Sequence, residues 1–377
     1  MRKNIFLFIT ACTVSFVSFA QTVSKPVPEF LQVHKLKATS VKNQAMTGTC
    51  WCFATTSLVE SESNRKIQKE IDLSEMFTVR NIYIEKAKNY ILRQGKTQFG
   101  EGGLGHDMIR SVATYGAIPL SVYTGLPAGQ AMYNHAKLFT SLQNYLDDVL
   151  KKTPIDDDWL SGYIKILDST LSEPPSKFNY QGKEYTAKTF AKEVLHFNAD
   201  DYISLTSFTH QPFYKPFILQ VPDNFSNGLF YNLPLSELIE VTKSAISKGY
   251  TVSWDADVSN NGFKQGIALA LNLNDKIKYN KDSITADMPE MPYTPAIRQY
   301  LYENLTTQDD HLMHLTGMEK SKGGKTFFIV KNSWGKVGPC DGYINVSESY
   351  FAINTISIVL PKAALSKTLL LKLGFKN

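Results

Sequence analysis

Cysteine is scarce in this 377-residue chain, which has four. Cys12 lies in the N-terminal apolar segment. Cys50, Cys52 and Cys340 are too few for a disulfide-built scaffold. Long apolar runs are missing beyond the N-terminus. Leu369-Leu370-Leu371-Lys372-Leu373 is too short and too interrupted to span a bilayer, and it reads as a final amphipathic helix. Blocks of Lys and Arg interleaved with aromatics are absent, and the net charge of +5 is small and scattered, so nucleic acid is not an expected partner. There is no Gly-x-Ser-x-Gly elbow and no His-Glu-x-x-His pair. Gly102-Gly103-Leu104-Gly105 lacks the lysine and strand context of a phosphate loop. No internal repeat or low-complexity tract occurs. What is left, 43% hydrophobic and 20% charged, is an ordinary globular composition, long enough for two lobes with full cores.

The first twenty residues read as a targeting segment. Arg2-Lys3 precede an apolar run from Ile5 to Phe19, and Ser18-Phe19-Ala20 before Gln21 fits a small-residue cleavage site. This predicts export to the periplasm or beyond. Ile9-Thr10-Ala11-Cys12 offers the alternative of a lipoprotein acylated at Cys12, although the apolar run continues past that cysteine.

Periodicity divides the remainder. Residues 21–124 read as an extended arm with Pro26 and Pro28, then a helical lobe. Its helices are predicted over Cys50–Lys69, from Asp72-Leu73-Ser74-Glu75 onward, and over His106–Tyr115. Residues 125–200 read as a helical insertion, with helices at Ala131–Lys152, Trp159–Leu171 and Ala187–Phe197. In 201–377 the strand signal rises, at Leu229–Asn232, Thr251–Asp257, Leu312–Glu319, Thr326–Lys331 and Gly342–Val346, with a helix at Leu235–Lys248. The fold class is therefore α+β: a helical lobe, then an antiparallel β lobe, with a cleft between them.

The reactive residues concentrate at three places. Asn43-Gln44-Ala45-Met46-Thr47-Gly48-Thr49-Cys50-Trp51 puts a glutamine six residues ahead of a cysteine that opens a helix. Downstream stand Asp310-His311 and Lys331-Asn332-Ser333-Trp334-Gly335. A thiol at a helix start lies in the positive end of the dipole, which favours the thiolate, and an imidazole completes the activation. His311 is expected as that base, with Asn332 holding its tautomer. Gln44 and the Cys50 N–H would face a developing oxyanion, and Trp334 would cover the His–Asn hydrogen bond. His314 is close in sequence, but residues three apart on a strand point to opposite faces, so His311 and His314 should not converge on a metal. No metal or organic cofactor is expected. Cys52 and Cys340 are either a disulfide or two small buried hydrophobes.

At these residues the sequence resembles the papain-like cysteine peptidases: Gln44, Cys50-Trp51, His311 and Asn332-Ser333-Trp334-Gly335 stand in the family's order. Thr47 replaces the cysteine that papain-type sequences carry three residues ahead of the nucleophile. Gly102-Gly103 through Asp107-Met108, Tyr115-Gly116-Ala117-Ile118-Pro119 and Val252-Ser253-Trp254-Asp255-Ala256-Asp257-Val258 are similar to the bleomycin hydrolase and aminopeptidase C branch. So is the separation of about 260 residues between Cys50 and His311, against about 130–150 in papain and the cathepsins.

The resemblance implies a two-lobed papain-like fold and peptide substrates in the interlobe cleft. Gly103, with Gly102, would bind substrate backbone, and Asp310 would support His311. The branch takes N-terminal residues because a C-terminal arm blocks the cleft, and here that arm looks truncated. An endopeptidase or a dipeptidyl peptidase is therefore an alternative, as are a non-catalytic peptide-binding homologue and an acyl transferase with the same thiol chemistry. The branch's barrel-like hexamer leaves a homo-oligomer open.

Overall fold

The computed structural model describes residues 28–274, 276–280 and 283–376. The expected leader over residues 1–20, and Cys12 with it, lie outside the described residues.

Strand β1 (Phe30–Lys35) precedes five helices: α1 (Cys50–Ile67), α2 (Glu75–Leu92), α3 (Gly105–Tyr115), α4 (Ala136–Leu150) and α5 (Trp159–Leu171). A small hairpin, β2 (Phe178–Tyr180) and β3 (Lys183–Tyr185), and α6 (Ala187–Glu193) complete this half. The second half runs β4 (Tyr202–Thr206), β5 (Pro216–Ile218), β6 (Leu229–Asn232), α7 (Leu235–Ser247), β7 (Val252–Ala256), β8 (Phe263–Lys264) and β9 (Leu269–Ala270). It ends with α8 (Pro295–Glu303), β10 (His311–Ser321), β11 (Thr326–Lys331), β12 (Tyr343–Ser347), α9 (Glu348–Asn354), β13 (Thr355–Pro361) and α10 (Lys367–Lys372).

The mixed α+β class is as the sequence suggests, but the sheet is not purely antiparallel. Its strand order is β5-β6-β4-β13-β7-β10-β11-β12-β9-β8, with β1 on the distal half of β10. The β4–β6 and β12–β9 pairs are parallel. Both arise because the intervening segments carry the chain over a neighbouring strand instead of turning back beside it.

Helix α1 is buried from Cys50 to Ser63, on every face, because it runs through the middle of the molecule against β10 and β7. Its polar residues meet polar partners: Thr55 Oγ1 lies 2.9 Å from Ser253 Oγ, and Ser57 Oγ lies 2.8 Å from His314 Nδ1. Ser74 starts α2 by accepting the Phe77 N–H at 3.2 Å, as an N-cap serine does.

Two large cores flank the sheet. One joins Trp51, Phe53 and Leu58 of α1 to Leu312, Ile356 and Val359 of the strands. Residues 125–200 belong to this core, since Leu138, Leu142, Tyr163 and Leu167 pack into it. The other lies under the opposite face, with Trp254, Met313, Leu315 and Val330, and receives Leu369 and Leu373 of α10. Strand alternation thus sends Trp254 to one core while Ser253 and Asp255 turn toward α1.

Candidate active site

Cys50 is the first residue of α1, following Thr49, whose carbonyl accepts the Cys52 and Phe53 N–H groups. It is 8% exposed. Burial pushes its thiol up to about 12; the Leu312 N–H, hydrogen-bonded to the sulfur, opposes this, and the nearby carboxylates of Asp309, Asp223 and Asp255 add to it. Burial also holds His311 below its ordinary value, against the hydrogen bond that it donates to Asn332 and the charge of Asp310. Desolvation and the three carboxylates thus oppose the thiolate that the helix start is expected to favour.

His311 opens β10, one residue before the N–H that touches the Cys50 sulfur. Its Nε2 lies 2.7 Å from Asn332 Oδ1. That oxygen is identified by its other partner, the Ser333 N–H at 2.7 Å, while Asn332 Nδ2 donates to Gln265 Oε1 at 3.0 Å. An acceptor at this position requires the proton on Nε2, which leaves the lone pair of Nδ1 free to accept a proton. The Trp334 ring lies over the imidazole, 4.8 Å between centroids at 31°, and Phe263 meets Trp334 edge-on.

Gln44 is tied to the same loop. Its N–H donates to Ser333 O at 2.8 Å, and its Oε1 accepts the Ser333 hydroxyl at 2.6 Å. Its Nε2 donates to Thr47 O at 2.8 Å. The Gly335 N–H to Lys42 O bond, 3.0 Å, closes the stitch between residues 42–44 and 332–335. Hydrogen-bond donors around Gln44 and the start of α1 are thus held on one rigid frame with the His–Asn pair.

The glycine loop is held beside them. Trp51 Nε1 donates to Glu101 O at 3.1 Å, the Gly48 N–H donates to Glu101 Oε2 at 2.8 Å, and buried Lys86 donates to the carbonyls of Gly100 and Gly102. A Cβ on Gly103 would sit 3.1 Å from the Trp51 ring, and one on Gly102 would overlap the Asp223 carboxylate. Glycine is needed here for close approach by neighbouring side chains.

The structure brings His311, Asn332, Gln44 and Trp334 together, with Cys50 against Leu312, the residue after His311, and Gly102 and Gly103 beside Trp51. Asp310 turns away: its Oδ2 accepts Val258 N–H at 3.1 Å and Ser259 Oγ–H at 2.6 Å, so it anchors a loop and acts on His311 only through its charge. Cys52 and Cys340 are unbridged, which corrects the disulfide alternative. Cys52 points from α1 toward α2, where its Sγ lies 3.3 Å from Glu75 O, whereas Cys340 sits in the loop before β12. His314 is buried against Ser57, on the opposite face of β10 from His311, and no group of metal-binding geometry occurs among the described residues.

Sequence reasoning missed Gln265, Ser333 as a partner of Gln44, and the carboxylates Asp223, Asp255 and Asp309. Asp255 alone left a signal, as an acid inside a strand otherwise read as core.

Comparison with known proteins agrees with this geometry. Residues 96–374 match the Peptidase C1-like family and residues 27–80 match the papain family cysteine protease description. Aminopeptidase C of Listeria monocytogenes serovar 1/2a (strain ATCC BAA-679 / EGD-e) is 24% identical over 381 residues, spanning 89% of this chain and 83% of the relative. Aminopeptidase E of Lactobacillus helveticus is 24% identical over 375 residues, 88% and 83% of the two chains. The crystal structure of PepW from Lactobacillus rhamnosis HN001 superposes with a TM-score of 0.75 at 20% identity, covering 92% of this chain and 85% of that one, which establishes the shared fold. With the family match spanning most of its length, this chain belongs to the Peptidase C1-like family and is a cysteine peptidase.

Proposed function

We propose that this peptidase is an aminopeptidase of the aminopeptidase C type, removing residues from unblocked peptide N-termini with Cys50 as nucleophile. The observation that carries the site assignment is the 2.7 Å His311–Asn332 hydrogen bond, which leaves Nδ1 as the free base beside the start of α1. The relatives named aminopeptidase C and E support the exopeptidase part.

In this reading the Sγ proton passes to His311 Nδ1 as sulfur attacks the scissile carbonyl carbon. Moving the proton between two adjacent groups creates both charges together, which avoids either one standing alone in a desolvated site. Gln44 and the Cys50 N–H face the oxyanion, Asn332 holds the imidazolium, and Gly102 and Gly103 line the path of the substrate backbone. The imidazolium proton leaves with the amine. Water, deprotonated by Nδ1, then hydrolyses the thioester and releases the first residue.

Mass-spectrometric mapping of products from peptides with free and acetylated N-termini tests this, using the wild type and Cys50→Ala under reducing conditions. Cuts after the first residue of free peptides only, lost in the mutant, are expected. Internal cuts in acetylated peptides would show an endopeptidase, and Cys50-independent cleavage would refute the mechanism.

Export is proposed from Arg2-Lys3, the apolar run and Ser18-Phe19-Ala20. N-terminal sequencing of protein from a periplasmic fraction should begin at Gln21, and a retained Met1 would refute it. A homo-oligomer is proposed from the branch alone, and light scattering at the mass of one mature chain, below the 42.4 kDa of all 377 residues, would exclude it.

A further inference from the structure

Three carboxylates gather on the α1 side of the sheet. Asp255 of β7 lies directly across from Leu312, the residue whose N–H touches the Cys50 sulfur. Asp309 immediately precedes Asp310-His311 and lies close to Asp223. The Asp223 side chain rests on Gly102, and Gln98 Nε2 reaches its Oδ1 at 3.4 Å.

This cluster is short of donors. Asp255 is 1% exposed, and only its Oδ2 is served, by Ser357 Oγ–H at 3.1 Å. Asp255 Oδ1 and Asp309 Oδ2 are buried with no donor among the described residues. The two carboxyl groups are close enough to hydrogen-bond each other, which requires a shared proton. The nearby cation Lys86 directs its hydrogen bonds to Gly100 O and Gly102 O instead. Asp309 also lines an open cavity with Asp257, Ser259, Asn260 and Gln308 and is reachable from solvent there, while Asp255 is buried. A buried carboxylate lacking a donor is costly in a protein built only for stability. Here the two carboxyls share one proton near the thiol, where a substrate ammonium would bring three N–H donors and a positive charge.

We propose that Asp255 and Asp309, with Asp223 beside them, form the subsite that takes the α-ammonium group of an unblocked peptide whose first carbonyl lies over Cys50. The inference rests on the aminopeptidase reading and names the groups that would enforce it. Binding an ammonium displaces the shared proton to solvent and neutralises the carboxylates that face the thiol. The same acidic subsite could instead take a lysine side chain at the second position of a blocked peptide, and the substrates below separate these two sources.

The test compares the full chain with Asp255→Asn, Asp309→Asn and Asp223→Asn on three aminomethylcoumarin amides: alanyl, acetyl-alanyl and acetyl-lysyl-alanyl. Asparagine keeps the shape and removes the charge, and thermal melting reports folding. Asp223, in the loop between β5 and β6, serves if a buried change perturbs the fold. The alanyl substrate should lose about 10- to 100-fold in kcat/KM, mostly through KM, as expected for lost charge-assisted hydrogen bonds. Alkylation of Cys50 by iodoacetamide, which needs no ammonium, should not slow. Wild-type hydrolysis of the alanyl amide that survives in folded Asp309→Asn and Asp223→Asn overturns the inference while leaving the aminopeptidase reading intact. Preference for the acetyl-lysyl-alanyl amide, lost in the same variants, overturns it in favour of a side-chain subsite. Absence of Cys50-dependent hydrolysis of all three removes the reading beneath it, and the inference with it.

Discussion

Ser333 donates its hydroxyl to Gln44 Oε1 at 2.6 Å, although the two residues are 289 apart in sequence. The residue next to Asn332 therefore also orients the amide six positions ahead of Cys50. Ser333→Ala frees that amide without touching the thiol or the imidazole. It should lower kcat by about 10-fold with little change in KM, whereas Gln44→Ala, which removes the donor itself, should cost about 100-fold or more. Steady-state kinetics on one aminoacyl amide decide between these, and an unaffected kcat in both would remove Gln44 from the mechanism.

Asn332 is itself held, through Nδ2, by Gln265 in the loop between β8 and β9. Gln265→Ala should reduce kcat several-fold, and Asn332→Ala more. Both should fall short of His311→Ala, because orienting a base matters less than supplying it. Equal losses in His311→Ala and Asn332→Ala would contradict the orienting role.

Burial that disfavours both charges has a direct signature. With the Cys50 thiol pushed up to about 12 and His311 held down, iodoacetamide alkylation should climb steadily with pH above neutrality. Mapping of the labelled peptide separates Cys50 from Cys340. A rate that levels off below pH 6 would instead mean a standing thiolate–imidazolium pair.

The ammonium subsite carries its own pH dependence. Burial raises Asp255, Asp309 and Asp223, with Asp309 at about 7, amid the charges of Asp107, Asp310 and Lys86. A carboxyl raised in the free protein must release its proton to receive an ammonium, so affinity increases as pH rises through about 7. It falls again once the peptide amine, near 8, loses its charge. In Cys50→Ala, calorimetry should show an unblocked dipeptide binding about 10-fold more tightly at pH 7.5 than at 6, with proton release. Equal affinity at both pH values would speak against the carboxyl pair.

Beneath the nucleophile helix, Lys42 bonds Glu60 at 3.3 Å and Glu75 at 2.6 Å, and both acids are almost fully buried. Lys42→Met strands two buried carboxylates and should destabilise the protein by about 3–5 kcal/mol in urea unfolding. A loss under 1 kcal/mol would show that water replaces the lysine.

Segments such as α7, β6 and β11 were legible to within a residue or so. Strands β4 and β13 escaped: both are wholly buried, and so is β7, which was predicted, so burial alone does not account for the miss. The side chains proposed as nucleophile, base, orienting amide and oxyanion amide could be picked out because each lies in a short local context around Cys50, His311, Asn332 and Gln44.

The linear sequence by itself determined the identity of those four side chains and the α+β class, since residue chemistry and periodicity are local properties. Only the tertiary structure decided which carboxylates lie near the thiol, that burial opposes its ionisation, and that Ser333 and Gln265 set the two amides. Those depend on desolvation and on contacts between residues tens to hundreds of positions apart, which packing creates and no local pattern records.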